Sequence, residues 1–230
     1  SLNTGSYNIA IGTDALQSED GDGRNVAIGY QALYAQNAGA DAYNVAIGYD
    51  AGVSVTTGIK NTIIGGLAGD ALTTGEGSTA VGYAALSTET SGGKNTAIGA
   101  RSQEDVNNSG NGNNTSVGFE SMLNATTAIG STAIGSSSMA GVMTGDFNTA
   151  VGYLSGLAIT SGASNVAVGS SSLNSNTVGH DNIAIGKDAL GGEVEGAFNT
   201  AVGRQALTAQ NGGNNNTALG YKAGLAVTGG

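Results

Sequence analysis

Asn25-Val26-Ala27-Ile28-Gly29-Tyr30-Gln31-Ala32-Leu33 is the stretch that decides the fold. Its first five residues join β-branched side chains to a closing glycine in a run too short for a helix, so they read as a strand ended by a turn. The same pentapeptide returns along the whole chain: NIAIG, NVAIG, NVAIG, NTIIG, STAVG, NTAIG, NTSVG, STAIG, NTAVG, NVAVG, NIAIG, NTAVG and NTALG. The copies begin at Asn8, Asn25, Asn44, Asn61, Ser78, Asn95, Asn114, Ser131, Asn148, Asn165, Asn182, Asn199 and Asn216. Neighbouring copies lie 17 residues apart, except for two intervals of 19, from Asn25 to Asn44 and from Asn95 to Asn114. A fixed period with an occasional two-residue surplus means one structural unit per copy, with insertions absorbed in a loop.

With the Asn or Ser counted as position zero, position three is a large aliphatic in every unit and position four is always glycine. Position two is Ala or Ser except at Ile63. Side chains alternate across a strand, so one face is large and the other small; both faces read as buried, the Ala and Gly face implying close approach of another backbone. On that reading, enlarging Ala150 and Ala167 to Leu would block the approach. Position seven, Ala or Ser and often followed by Leu or Met, reads as a second short strand. Glycines three residues before the next unit (Gly58, Gly75, Gly92, Gly145, Gly162, Gly179, Gly196, Gly213) are expected to supply positive φ and close the coil. Each unit is then strand, tight turn, strand and loop. Stacked in parallel at about 4.8 Å per rung, thirteen units give an all-β parallel β-roll or β-solenoid roughly 60 Å long.

The Asn ladder (Asn8, Asn25, Asn44, Asn61, Asn95, Asn114, Asn148, Asn165, Asn182, Asn199, Asn216) is expected to bond turn backbone or its own neighbours up and down the stack. A rung of this size leaves one apolar face uncovered, so association about the long axis is expected to bury it.

Composition fits a repeat rather than an ordinary enzyme: 230 residues hold 41 glycines and no proline, tryptophan or cysteine. With 17 acidic residues against 7 basic ones, the formal charge of -10 argues against nucleic acid or an anionic membrane as partner. No apolar run is long enough to span a membrane and no export signal opens the chain. The first residues (Thr4-Gly5) and the last (Thr228-Gly229-Gly230) read as loops without a capping unit, so residues 1–230 are expected to be a single repeat domain cut from a longer fibre protein.

The units, followed in several by Tyr-x-Ala-Leu (Tyr30 to Leu33, Tyr83 to Leu86), resemble the head repeats of trimeric autotransporter adhesins of the YadA type. They are equally similar to the GYQAL-rich repeats of bacteriophage tail fibres, matched in full by Gly29-Tyr30-Gln31-Ala32-Leu33. The resemblance spans residues 8 to 225. It implies a left-handed parallel β-roll, three chains side by side, an extracellular or virion location, and a role in adhesion to a host glycan or protein receptor. The longer period and the aromatic after Gly depart from the adhesin pattern and lean toward the phage fibre.

Little chemistry accompanies the repeat. The one histidine, His180, sits in a turn, and without cysteine neither a zinc site nor a His-paired nucleophile can be assembled in one chain. Gly92-Gly93-Lys94-Asn95 is a fragment of a phosphate-loop pattern and reads as a turn. The acidic clusters Glu19-Asp20-Asp22, Glu104-Asp105 and Glu193-Glu195 lack a calcium-loop spacing and read as solvated loops. No cofactor, metal or catalytic residue is expected, and the chain does not read as an enzyme.

Two feature sets remain for recognition. Aromatics recur at position five (Tyr30, Tyr49, Tyr83, Phe119, Tyr153, Tyr221) and just before the Asn (Tyr7, Tyr43, Phe147, Phe198). They serve either as a platform for sugars or as rung-on-rung packing, the latter being the commoner use. The 19-residue units carry the longest loops, Leu33 to Ala42 and Gln103 to Asn113, where binding usually resides. A different class, a single-chain ice-binding solenoid, rests on the Thr row at position one (Thr62, Thr79, Thr96, Thr115, Thr132, Thr149). A depolymerase would need a carboxylate pair in a groove, and no Asp or Glu recurs in the strands. Thr126-Thr127-Ala128-Ile129-Gly130 reads either as a partly doubled strand or as a changed loop.

Overall fold

The computed structural model describes residues 6–20, 23–108 and 110–227. Thr4, Gly5, Asp22 and residues 228–230 lie outside that set. Thirteen three-residue strands and no helix make up the regular structure of the described residues. The chain divides into two compact units, Ser1–Asn113 and Asn114–Gly230. The first holds β1 (Ile9–Ile11), β2 (Val26–Ile28), β3 (Val45–Ile47), β4 (Thr62–Ile64), β5 (Thr79–Val81) and β6 (Thr96–Ile98). The second holds β7 (Thr115–Val117), β8 (Thr132–Ile134), β9 (Thr149–Val151), β10 (Val166–Val168), β11 (Ile183–Ile185), β12 (Thr200–Val202) and β13 (Thr217–Leu219). Each unit is a parallel β-solenoid in which every strand pairs in register with the next, as in Val26↔Val45 and Ala27↔Ala46, or Val166↔Ile183 and Ala167↔Ala184.

The burial pattern is the reverse of what side-chain size suggests. The middle residue of β2 through β13 is buried, whereas its large neighbours at positions one and three are half-buried or exposed. Ala27, Ala46, Ala150 and Ala167 have no exposed surface, while Ile98, Ile134 and Ile185 are about two-fifths exposed. The small face therefore points into the coil, and the backbone approaching it is the opposite wall of the same chain. Ala150 and Ala167 are interior residues, so enlarging them would overpack the coil rather than block a neighbouring subunit.

That opposite wall is not a second strand. In every rung positions −1, 6 and 8 take φ between +48° and +67°, as at Tyr43, Gln31 and Leu33, which breaks strand geometry. Rung-to-rung hydrogen bonds persist nonetheless: Leu16 N–H donates to Ala32 O (3.1 Å), Gln31 N–H to Thr13 O (2.9 Å) and Leu33 N–H to Ala51 O (3.1 Å). Left-handed non-glycine residues cost about 1–2 kcal/mol each, and the parallel ladder on both sides holds them there. Alternation of left-handed residues also turns positions seven and eight inward together, so Ala32 and Leu33 are both fully buried.

Glycine does two separate jobs. At position four Gly29 has φ +139°, and an added Cβ would lie 2.2 Å from Gly48 O in the next rung. The glycines at position fourteen, expected to supply positive φ, do not: at Gly145 the requirement is space, since a Cβ would stand 2.0 Å from Gly162 O.

The interior is filled by exchange between two positions. Where position eight is Leu, position eleven is polar: Leu16 with Glu19, Leu33 with Gln36, Leu86 with Glu89, Leu173 with Asn176, Leu190 with Glu193 and Leu207 with Gln210. Where position eight is Gly, position eleven is aliphatic: Gly52 with Val55, Gly69 with Leu72, Gly156 with Ile159 and Gly224 with Val227. Ile63, the lone large residue at position two, sits where Gly52 and Gly69 leave room, a Cβ on them falling 2.9 Å and 3.4 Å from Ile63 Cδ1. Thr126 to Gly130 is a changed loop and not a doubled strand, for it lies between β7, the strand of its own rung, and β8, and forms no strand; Ala128 fills the place of the position-fourteen glycine.

Candidate interaction surface

The strand face turned away from the interior presents the residues at positions one and three, and exposed aromatics stand at the turns on either side of it. Among large apolar residues left exposed in the first unit are Ile9, Ile11, Tyr30, Tyr43, Tyr49, Tyr83 and Ile98. In the second unit they include Phe119, Ile134, Phe147, Tyr153, Ile183, Ile185, Phe198, Leu219 and Tyr221. Exposed large apolar side chains grouped on one side of a coil are the kind of surface that binding partners cover.

All six position-five aromatics, Tyr30, Tyr49, Tyr83, Phe119, Tyr153 and Tyr221, are exposed by between 43% and 65%. Tyr30 and Tyr49 nevertheless stack face to face, with centroids 5.3 Å apart and planes 12° from parallel. Their facing surfaces are used by each other. Gly66 interrupts this column, with Tyr83 Cδ2 3.9 Å from where its Cβ would be. At position −1 the Arg24 guanidinium lies between Tyr7 and Tyr43, 5.4 and 5.6 Å from the ring centroids. It also donates to Tyr43 Oη (2.6 Å) and pairs with Asp41 of the first long loop. The Tyr43 hydrogen bond and the Asp41 charge raise the Arg24 pKa further. His180 pairs with Asp181 (Nδ1 to Oδ2, 2.9 Å) and meets Phe198 edge-on at 4.9 Å, in an exposed turn.

Apart from the half-buried Asn8 and Asn216, the ladder asparagines lie inside. Each described rung-to-rung step passes a backbone N–H to the preceding side-chain oxygen: Asn25 to Asn8 Oδ1 at 2.7 Å, Asn44 to Asn25 and Asn61 to Asn44 at 2.8 Å, Ser78 to Asn61 at 2.9 Å and Asn95 to Ser78 Oγ at 3.3 Å. In the second unit Asn148, Asn165, Asn182, Asn199 and Asn216 continue the same pattern, with Asn114 accepting from Ser131 at 2.9 Å. The Nδ2 group donates to the carbonyl at position fourteen, as Asn165 does to Gly179 O (2.8 Å) and Asn182 to Gly196 O (2.7 Å). Each buried amide thus ties two rungs and its own coil together.

Three internal features escaped the sequence reading. A Thr column at position twelve donates to the next rung's backbone, as Thr73 Oγ1 does to Thr90 O (2.7 Å) and Thr160 Oγ1 to Thr177 O (2.8 Å). A serine column at position seven crosses the coil, with Ser155 Oγ bonded to Ala167 O (2.8 Å) and Ser172 Oγ (3.0 Å). Third, Glu19, Glu89 and Glu193 are fully buried and not solvated. The signal that could have found them is the exchange of positions eight and eleven, which places both in the interior. Glu89 accepts from Gly92 N–H (2.7 Å), Asn108 N–H (3.2 Å) and Asn95 Nδ2 (3.5 Å). Asp20, Asp105 and Glu195 are exposed. No cluster of three His, Cys, Asp or Glu placed to hold a metal occurs among the described residues.

Comparison with protein-family models, curated proteins and solved structures finds no match to this chain.

Proposed function

We propose that this chain is a segment of a homotrimeric extracellular fibre, a phage tail fibre or a bacterial adhesin head, that mediates attachment to a host or cell surface. The observation that carries the reading is the outward apolar strand face, with Ile98, Ile134 and Ile185 exposed while alanines fill the interior. Chains of the same sequence supply the simplest cover for it, because equivalent rungs match equivalent rungs. In this proposal the solenoid is left-handed, three copies lie side by side on these faces, and the aromatics and the loops around Asp41 and Asn107 meet the glycan or protein receptor. The resemblance of Gly29 to Leu33 to fibre repeats supports the same reading. No catalytic step belongs to it.

A second reading, a single-chain ice-binding solenoid, is favoured by one observation. The position-one threonines are half-buried on the outward face, in register across Thr62↔Thr79↔Thr96 and Thr115↔Thr132↔Thr149. The experiment that separates the two measures retention of labelled protein on candidate host cells beside thermal hysteresis in solution. Retention without hysteresis is expected; hysteresis from a monomer would replace the fibre reading.

A further inference from the structure

We infer that copies of the chain associate in parallel and without axial stagger, so that the position −1 residue of a rung in one copy meets the position-five residue of the same rung in the next. The inference rests on the fibre reading and adds to it the register between copies. These two positions stand at opposite ends of the outward strand face, and each forms a hydrogen-bonded column. At one end Leu67 N–H donates to Tyr49 O (2.9 Å) and Ala84 N–H to Gly66 O (3.0 Å). At the other, Lys60 N–H donates to Ala42 O (2.7 Å) and Gly77 N–H to Ile59 O (3.0 Å). Ring and cation contacts run along a column, as Tyr30 on Tyr49 and Arg24 between Tyr7 and Tyr43; none joins the two columns among the described residues.

Two glycines point to the contact, because the single chain requires neither. Gly66 has no left-handed torsion, and a Cβ on it would find only ordinary contacts, 3.9 Å from Tyr83 Cδ2 and 4.0 Å from Tyr49 O. Gly77 has φ +67°, but Tyr43, Lys60 and Lys94 hold the same place in their own rungs at +55° to +61°, and its Cβ would meet only Lys94 Cγ at 3.8 Å. Each lacks a side chain where the other end of its rung carries a long one: Gly66 with Lys60, and Gly77 with Tyr83. Such a match of bulk to space acts only where the two edges meet, and within one chain the strand holds them apart.

Charge and ring character match in the same way. Asp181, which also holds His180, shares a rung with Lys187; Arg24 shares one with Tyr30 and Phe198 with Arg204. Tyr43 and Phe147 share theirs with Tyr49 and Tyr153. Opposite charges, cation on ring and ring on ring are favourable pairs, and no rung sets like charges at these two places. All of these side chains are exposed in the single chain. Cyclic symmetry about an axis parallel to the coils produces the contact. Strands of successive copies run the same way around such an axis, so the start of one face adjoins the end of the next and equivalent rungs stand at equal height. An antiparallel pair would set unlike rungs together and lose the matching. The receptor contact that the fibre reading gives to the aromatics then falls at the seam between copies.

The test is the solution mass of the whole chain over a dilution series, for the parent, for Gly66→Tyr and for Gly66→Tyr with Lys60→Gly. The single change fits one chain but collides with Lys60 of the next copy, and the double variant reproduces at this rung the pair already present at Gly77 and Tyr83. Gly66→Tyr is expected to raise the concentration at half-dissociation by roughly tenfold or more, as overpacking of a contact does. The double variant is expected to return it to the parent value. A Gly66→Tyr chain that associates as tightly as an oligomeric parent, or a double variant no tighter than the single, overturns the pairing of edges while the oligomeric fibre stands. A parent of one chain mass at every concentration overturns both. Should Gly66→Tyr fail to fold, Asp181→Lys and Lys187→Asp decide: each alone is expected to weaken association and the two together to restore it, and a pair that does not restore it overturns the inference.

Discussion

The rungs that begin at Asn44 and Asn61 and those that begin at Asn165, Asn182 and Asn199 share one backbone and fill it oppositely. The first pair leaves position eight to Gly52 and Gly69 and packs the interior with Ile63, Val55 and Leu72, all buried. The second set puts Leu173, Leu190 and Leu207 at position eight and buries Asn176, Glu193 and Gln210 at position eleven. The difference teaches that the coil conserves its filled interior rather than any one side chain. A dry filling needs only shape, while a polar filling must also pair every donor and acceptor.

The largest expected effect breaks the dry filling. Ile63→Ala leaves a hole that neither Gly52 nor Gly69 can fill, and is predicted to cost about 3–5 kcal/mol in urea unfolding. Adding Gly69→Leu should recover part of that loss, since the side chain enters the same space; strict additivity of the two changes would refute the exchange between positions. Next comes the cross-coil serine column. Ser155→Ala abandons bonds to Ala167 O and Ser172 Oγ and is predicted to lower stability by about 1–2 kcal/mol by the same measurement.

The buried carboxylates sharpen the polar side of the comparison. Burial raises the Glu89 pKa, opposed by the backbone N–H groups of Asn108 and Gly92. Its stabilising contribution is therefore fully present below the ordinary glutamate range and is lost as pH rises through the raised value. Glu89→Gln places at this rung the amide already found at Gln36 and Gln210. The variant, which cannot titrate, is predicted to flatten this part of the Tm profile above the ordinary glutamate range. A parent Tm that rises with pH there, or a variant profile that falls as steeply as the parent's, would contradict the assignment. The smallest effect belongs to the exterior: Phe147→Ser, at a side chain 64% exposed, should leave chain stability within about 0.5 kcal/mol.

Much of this fold was legible because the pentapeptide repeats with so little drift. Asn8 through Asn216 locate every strand, and the two 19-residue intervals locate the longest loops. What size and alternation alone did not reveal is which face turns inward. A narrow coil admits only Ala or Ser opposite Ala-Leu, so the bulkier Ile and Val are forced outside, against the usual association of size with burial. The apparent second strand at Ala32-Leu33 failed for a related reason: placing both residues in the interior requires left-handed backbone at Gln31 and Leu33, which propensity does not foretell. Gly145 is required for its lack of a side chain against the neighbouring rung, a demand that a single sequence does not distinguish from torsional freedom. Glu19 and Glu193 stand in sequence beside Asp20 and Glu195, yet a difference of one or two residues in rung position separates interior from solvent.

The proposed association through the outward strand face is tested most directly by the solution mass of the chain by light scattering, beside an Ile98→Glu, Ile134→Glu variant. Three chain masses for the parent, falling to one in a variant that keeps its β-sheet circular dichroism, is the predicted result. A parent of one chain mass, unchanged by the substitutions, would contradict it.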